Sequence, residues 1–438
     1  MIKKVYIESL GCSKNQVDSE KMAALFEEKG FSLTDQPEDA DYIIVNTCGF
    51  IDSAKKEAVD VVFEMAEYKK TGKCTKLVLA GCFAQRYTEA AEKEFLPDEV
   101  DLIFGTGDIS QIVDAIQQNE RVVKPEIVKE RLISRKIKGF PGSAYLRISD
   151  GCSNNCSYCA IPLIRGPLRS RPIDDIIIEL ELILKNNDIK EINIISQDTT
   201  NYGSDLTGKS NLIELLTRID SVLDGNQWIR VLYMHPDHIT EEILDGLLHI
   251  KHFIPYFDIP FQSGSEIILK KMGRVGSSKK YLDLLFSIRK RFDQAVIRST
   301  FITGFPQESD LDHTETLNFI KQARIDWVGA FAYSDEDGTK AFEIEKKIPK
   351  IKASKRLDEI MSLSESISQE SLKRFIGITT DLLVEESVDE NLFLTRFWGQ
   401  APEVDGLTVL DSFTAKPGQF SHAVIKKING KDFFASGN

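Results

Sequence analysis

This 438-residue chain has no apolar run approaching the ~20 residues needed to span a bilayer. Its start, "MIKKVYIESLGC", has no apolar core of signal-peptide length and no small-residue cleavage site. These absences predict neither export nor membrane insertion, and a reducing cytoplasm is the expected setting. Histidine is scarce, at six residues, and cysteine stands at seven, an odd number. In a reducing compartment such cysteines read as metal ligands or reactive thiols rather than as disulfides. Positive charge also falls short: 55 Lys and Arg against 68 Asp and Glu leave −13. Phosphate neutralisation supplies most affinity for nucleic acid, so this balance points to a solvated acidic surface or a basic partner.

What is present is a repeated alternation of short apolar strands and helical stretches. In residues 1–125, "KVYIESL", "DYIIVNT", "KLVLAG" and "DLIFG" read as buried strands. "SEKMAALFEEKG" and "SAKKEAVDVVFEMAEYKKTG" read as the helices between them. That order predicts a parallel α/β domain. Residues 126–143 are charged, aperiodic and contain "KGFPG", the marks of a linker. From 144 to 376 six further strand–helix units follow, beginning with "AYLRIS", short of a complete (β/α)8 barrel. Residues 377–438 break into short strand-like pieces separated by "APEVDG", "KPGQ" and "NG", the pattern of a small all-β barrel or sandwich.

The cysteines fall into two sets and one remainder. Cys12, Cys48 and Cys82 each lie just past the C-terminal end of a predicted parallel strand. Those ends share one sheet edge, where ligands bind in open α/β sheets, so the three thiols are expected to converge. Cys74 precedes its strand and belongs at the opposite edge, as a small buried hydrophobe. Cys152, Cys156 and Cys159 form C-x3-C-x2-C directly after the first barrel strand. Zinc would want a fourth Cys or a His, and none lies in that segment. His235, after the third strand, is the one histidine placed to approach it; a hydrogen-bonded loop residue is the competing reading. Three thiolates with one open position suit an iron–sulfur cluster whose free iron takes a small molecule. Polar loops after the strands, "SQDTTNYG", "PFQSGS", "TGFPQES" and "YSDEDGT", would ring it.

"GCSNNCSYC", together with "SLGCSKNQVDSE", "NTCGFID", "AGCFAQRY" and the C-terminal β module, resembles the radical S-adenosylmethionine methylthiotransferase family. The resemblance covers essentially the whole chain. It implies an N-terminal cluster domain, a partial (β/α)6 barrel and a TRAM domain. It implies two [4Fe–4S] clusters, one at Cys12, Cys48 and Cys82 and one at Cys152, Cys156 and Cys159. The second would carry S-adenosylmethionine and act as the catalytic cluster. Gln197 and Asp198 would approach the methionine part, and Gln262, Ser263, Gly304 and Phe305 the ribose and adenine. In this family the loop after the fifth strand reads G-x-P-G-E or close to it. Here Gln307 stands in place of the second Gly, which puts the loop's shape in question. Arg165, Arg169 and Arg171 would pair with a substrate or cofactor carboxylate, or lie on a solvated loop.

"SLGCSKN", "NTCGFID" and "APEVDG" are most like the branch that modifies an aspartate of the twelfth small-subunit ribosomal protein. That implies a basic protein substrate, an electron donor such as flavodoxin or ferredoxin, and a sulfur donor. Methylthiolation of a tRNA adenosine is the alternative, and a non-catalytic two-cluster electron carrier is the alternative of another class. From Gly377 onward nine acids face five bases. Such a module is a poor tRNA dock and a reasonable one for a basic ribosomal protein.

Overall fold

The computed structural model describes residues 2–90, 98–128 and 134–437. The middle of the predicted linker, 129–133, therefore lies outside the described residues. The chain begins with a six-stranded, all-parallel sheet. Its order is Ser32–Leu33, Lys4–Ser9, Tyr42–Thr47, Lys76–Gly81, Val100–Phe104, Val122–Val123. Tyr42–Thr47 is buried along its whole length, as a central parallel strand flanked by helices must be. Cys74 packs there with Leu77, Ala40 and Met65, and its thiol donates to the Lys76 carbonyl at 3.3 Å.

Two helices differ from expectation. The apolar pattern predicts a helix from Ser19, yet it runs Ser13–Glu28 and starts at Cys12. Its first turns carry Ser13, Lys14, Asn15, Asp18, Glu20 and Lys21, all buried. They face other charged groups, so the buried side has no apolar period to read. The predicted helix 53–72 is instead Asp52–Ala66 followed by the single turn Tyr68–Thr71.

Six parallel strands then form an open arc. Ser143–Arg147, Glu191–Ile195 and Trp228–Val231 make one sheet; Tyr256–Asp258, Val296–Thr303 and Trp327–Ala332 make the other. A parallel bridge from Ile229 to Phe253 joins the two halves. Leu146, Ile194, Val231, Phe257, Ile297 and Phe301 pack between these strands and the outer helices. Helix Ile173–Asn186 shows why that layer forms: Ile176, Ile177, Leu180 and Ile183 recur at helical spacing on its buried face. Helix Lys350–Leu372 follows the last barrel strand. It leads to five strands that close into a barrel in the order Thr379–Asp389, Leu392–Phe397, Thr408–Asp411, Asp432–Gly437, Phe420–Asn429. No helix among the described residues is long and apolar enough to cross a membrane.

The described part of the linker has no regular element, but it is not a free tether. Arg135 is buried and donates to Glu20 at 2.5 Å and to Glu179 at 2.8 Å, tying the first helix to the barrel.

Candidate iron–sulfur and cofactor site

The loop carrying Cys152, Cys156 and Cys159 is held by both backbone and side-chain bonds, among them Asn154 to Asp198 at 2.8 Å and Ser157 Oγ to Lys271 O at 2.7 Å. Ser149–Asp150 pairs antiparallel with Arg169–Ser170, which cinches its base. Cys152 N donates to Gly166 O at 3.1 Å, and Ser157 N to Met272 O at 2.9 Å. All three thiols are partly accessible. Burial, with smaller contributions from Cys156 and Cys152, pushes the Cys159 thiol up to about 12. Burial likewise raises Cys152 to about 11, with Asp198 and Cys156 adding to it. Cys152 and Cys159 thus resist ionisation in the bare protein. A bound polycation reverses the balance by holding the thiolates, so the donor set fits an iron–sulfur cluster.

The other three thiols also converge. Cys12 is the N-cap of helix Ser13–Glu28, and Cys82 opens helix Cys82–Ala90. A helix N-terminus favours an anionic sulfur. Gly11 sits at φ +92, and a Cβ there would stand 2.5 Å from the Cβ of Cys48, so only glycine lets these strand ends meet. Asn15 ties them further, donating to Leu10 O and Thr47 O at 3.0 Å each. Burial drives the Cys82 thiol up to about 12; Arg165 opposes this while Cys12 and Cys48 add to it. Burial and then Cys12 also raise Cys48.

The two sets face each other. Cys82 packs with Ala160, the residue after Cys159, and with Ile164 and Phe50. The short helix Ile161–Arg165 follows Ala160 directly and packs its Ile164 against Cys82. A cavity of about 230 Å³ opens beside this junction, lined by Phe50 and Ile51 from the first domain and by Tyr158, Gln262, Ile302 and Tyr333 from the barrel. Arg86 and Lys55 close on Glu336, and Asp52 N donates to Ser334 Oγ at 3.1 Å, clamping the first domain onto the loop after the last barrel strand. A larger cavity, about 960 Å³, lies between Asp188, Lys190 and Gln419. Asp188 and Lys190 precede the barrel strand Glu191–Ile195, so it opens at the end of that strand opposite the cysteines.

The remaining expected residues divide. Gln197 donates to Asp150 at 2.8 Å while its buried Oε1 has no partner. Gln262 takes φ +70, lines the smaller cavity and also leaves Oε1 unpartnered. Both oxygens are acceptors awaiting a donor. Asp198 accepts from Asn154 at 2.8 Å, His238 at 2.7 Å and Thr200 at 2.6 Å. Burial would raise its carboxyl, but His238 and His235 hold it at about 2. Asp198, His235 and His238 bring one ligand atom each within 4.8 Å of one another, yet the carboxylate is already saturated and acts as a hydrogen-bond hub. Ser263 is fully buried, bonded to Thr316 and Ser265. Gly304 N donates to Glu308 at 2.6 Å, and Phe305 packs among Ile268, Met272 and Ala341. These three shape loops with groups turned into the protein. Gln307 adopts φ +62 and its N donates to Lys346 O at 3.1 Å, so the loop keeps a glycine-like turn without the glycine.

The arginines are neither solvated nor free. Arg165 donates to Asn15 and Asp18 at 2.9 Å each and pairs with Asp150 at 3.2 Å. Arg171 is buried against Glu179 at 2.6 Å, and Arg169 serves Asp150 and two carbonyls of its own loop. Arg165 locks the first domain onto the cluster loop, while Arg169 and Arg171 brace the loop against its own barrel. Asn15, Asn154 and Arg274 are site residues that sequence reasoning missed; none stands in a periodic or spaced pattern.

Comparison with known proteins fits this arrangement. The radical SAM superfamily matches residues 146–320, the Uncharacterized protein family UPF0004 residues 4–105 and the TRAM domain residues 376–436. Over 436 residues the chain is 42% identical to the ribosomal protein uS12 methylthiotransferase RimO of Thermotoga maritima, covering 99% of each. The chain belongs to the RimO family of methylthiotransferases. The RimO protein of Clostridioides difficile is 40% identical over 415 residues, 93% of each chain. Among solved structures, the radical S-adenosylmethionine methyltransferase TsrM of Kitasatospora setae aligns with TM-score 0.55 at 13% identity, over 76% of this chain and 75% of that one, a likeness of fold. Family membership makes the chain a transferase of mixed α/β architecture ending in a small closed β-barrel. The superfamily match implies S-adenosylmethionine and a [4Fe–4S] cluster.

Proposed function

We propose that this enzyme replaces a hydrogen on the β-carbon of an aspartate in ribosomal protein uS12 with a methylthio group. One observation supports the reading: the helix Ile161–Arg165, which begins two residues after Cys159, packs against Cys82, so the loop of one cysteine set meets the other set. An aspartate β C–H is not acidic enough for any side-chain base at neutral pH. Bound at Cys152, Cys156 and Cys159, a [4Fe–4S] cluster with S-adenosylmethionine supplies the radical for that bond, and a second cluster at Cys12, Cys48 and Cys82 presents the sulfur.

The chain's own residues bind, orient and exclude water. Gln197 Oε1 and Gln262 Oε1 accept from donors of the cofactor. Tyr158, Ile302 and Tyr333 give the cavity its apolar wall, and Phe50 and Ile51 close it from the first domain. Asn154 and His238 fix Asp198, which in turn fixes the loop after the second strand. We assign residues 1–125 to the second-cluster domain, 126–143 to a connecting strap, 144–376 to the radical barrel and 377–438 to substrate docking. The last assignment rests on charge. Arg396 is spent inside on Glu191 and on Glu385, itself one of the nine acids, and Asp405 is spent on Arg298, so seven acids against four bases remain for the surface, still a net acidic face suited to a basic ribosomal protein. A one-electron donor and a sulfur donor complete the reaction.

The test is anaerobic reconstitution, then incubation with reductant, S-adenosylmethionine and either uS12 or tRNA. Mass spectrometry should find methylthio in place of hydrogen on uS12. Modification of tRNA alone would overturn the reading, and iron sufficient for only one cluster would overturn the two-site model.

A further inference from the structure

The segment packed on the cluster loop carries positive charge that its own folding does not call for. Helix Glu266–Lys271 ends, the chain crosses residues 272–277, and helix Ser278–Arg291 begins. Lys270, Lys271, Lys279 and Lys280 flank that crossing, while Glu266 and Asp283 are the acids of residues 266–283. Lys270, Lys279 and Lys280 are exposed and Lys271 is half-buried. None of the four forms an ion pair with a described residue. Lys270 and Lys271 complement the dipole at the end of their helix. Lys279 and Lys280 stand in the first turn of theirs, where a cation is unfavourable and no acid is present. Between the two pairs Val275 is 81% exposed. Its N–H donates to Asp237 at 3.1 Å, and Asp237 also accepts from the Tyr281 hydroxyl at 3.0 Å, so that acid is already engaged.

The same crossing touches the backbone of the cysteine loop. A Cβ on Gly273 would stand 2.6 Å from the Asn155 carbonyl oxygen and 3.6 Å from Cys156 Cα, and Ser157 N donates to Met272 O at 2.9 Å. Asn155 and Gly273 are both exposed, so the protein surface here lies one residue from a cluster cysteine. We propose that Lys270, Lys271, Lys279 and Lys280, set around Val275, form the docking surface for the one-electron donor, an acidic carrier protein. The proposal rests on the function proposed above, which needs such a donor. The chain as a whole carries −13 and repels an acidic partner, so a local basic ring both attracts the carrier and sets its orientation. On docking, the carrier is oxidised by one electron and the cluster held at Cys152, Cys156 and Cys159 is reduced by one, with no bond made or broken between the two proteins. The acidic C-terminal module packs on the opposite strand ends, at Glu191 and Trp228, which keeps the two faces of opposite sign apart.

The test uses the full chain with its iron rebuilt anaerobically. An acidic flavodoxin and an acidic ferredoxin are titrated against it at low salt, and cluster reduction is followed by electron paramagnetic resonance. Lys270→Glu, Lys279→Glu and Lys280→Glu together should weaken carrier binding about 10- to 100-fold and slow reduction by the reduced carrier in proportion. Val275→Asp should cost about tenfold. Lys185→Glu, Lys290→Glu and Lys321→Glu together make the same change in net charge near the far ends of three outer helices, and should shift affinity by less than about threefold. Wild-type affinity should fall as salt rises. Dithionite should reduce the cluster to the same extent in every variant, and S-adenosylmethionine should bind them alike. Loss of the dithionite-reduced signal or of cofactor affinity in the first triple variant would return its lysines to holding the cluster loop and overturn the surface. An equal loss of carrier in both triple variants, unchanged affinity in the first, or wild type that binds neither carrier would overturn it too. So would a loss of tRNA binding with carrier affinity intact, which would assign the lysines to nucleic acid. Wild type that is reduced through this surface but modifies no uS12 would overturn the function and leave the docking surface standing.

Discussion

Glu191 offers a sharp test of how the C-terminal barrel is held. It opens the second barrel strand and has no exposed side-chain surface. Arg396 of the C-terminal barrel donates to it at 2.7 and 3.2 Å, Arg230 Nε at 2.9 Å and Ser143 Oγ at 3.0 Å. Glu191→Gln keeps the shape, removes the charge and turns an amide N–H₂ toward an arginine. Removing one partner of a buried pair costs about 3–5 kcal/mol, and here one change leaves two guanidinium groups undercompensated. Glu385 still pairs with Arg396 at 2.5 Å, which places the expected loss near the low end, about 3 kcal/mol.

The assay is built into the chain. Its three tryptophans all lie at this junction: Trp228 against Phe420 at 4.6 Å, Trp327 donating to Gly399 O at 2.8 Å, and Trp398 against Phe375. Tryptophan emission in urea should therefore show the junction opening about 1 M or more earlier in the variant, ahead of the far-ultraviolet transition. Asp174→Asn, which removes an exposed pair with Arg218, should leave the midpoint in place. Acid should act like the mutation. Burial would raise the Glu191 carboxyl, but Arg396 and Arg230 hold it at about 2. Its contribution is thus present above the unfolded value of about 4.3 and is lost as pH falls from there toward 2. A midpoint shift in Glu191→Gln worth less than about 1 kcal/mol, or no acid weakening in wild type, would refute the ion-pair lock.

Three further outcomes are expected. Cys74→Ala should leave iron content unchanged after reconstitution, whereas Cys82→Ala should lose about half of it; iron loss with Cys74→Ala would mean the wrong sheet edge was chosen. Gln307→Gly relieves the φ of +62 but frees the unfolded chain, so urea stability should move by less than about 1 kcal/mol with cofactor affinity unchanged; a large loss of affinity would show the Gln side chain itself at work. Arg165→Gln uncouples Asp18 from Asp150 and removes the cation nearest Cys82, so limited proteolysis should release the first domain faster and the iron at Cys12, Cys48 and Cys82 should become more labile; an unchanged digestion pattern would show that Arg86, Lys55 and Glu336 suffice.

The parallel alternation and the sheet edge on which each cysteine of the first domain falls were legible in the sequence because parallel strands share an edge. A residue just past a strand therefore has its place in space set by chain order alone. That argument located Cys12, Cys48 and Cys82 from positions dozens of residues apart, and it separated Cys74 from them. What it could not reach were interactions without a period. The first helix buries Asp18, Glu20 and Lys21, and a pattern reader looking for apolar faces starts it six residues late. Arg165 meets Asp18 across 147 positions, and Arg396 meets Glu191 across 205. An ion pair is specified by two points and leaves no repeat on either side, so only the folded chain shows which charges are spent. It decided that the arginines after the cluster loop are structural, that the helix after that loop packs against Cys82, and that Arg274 and His235 keep buried side-chain nitrogens without partners.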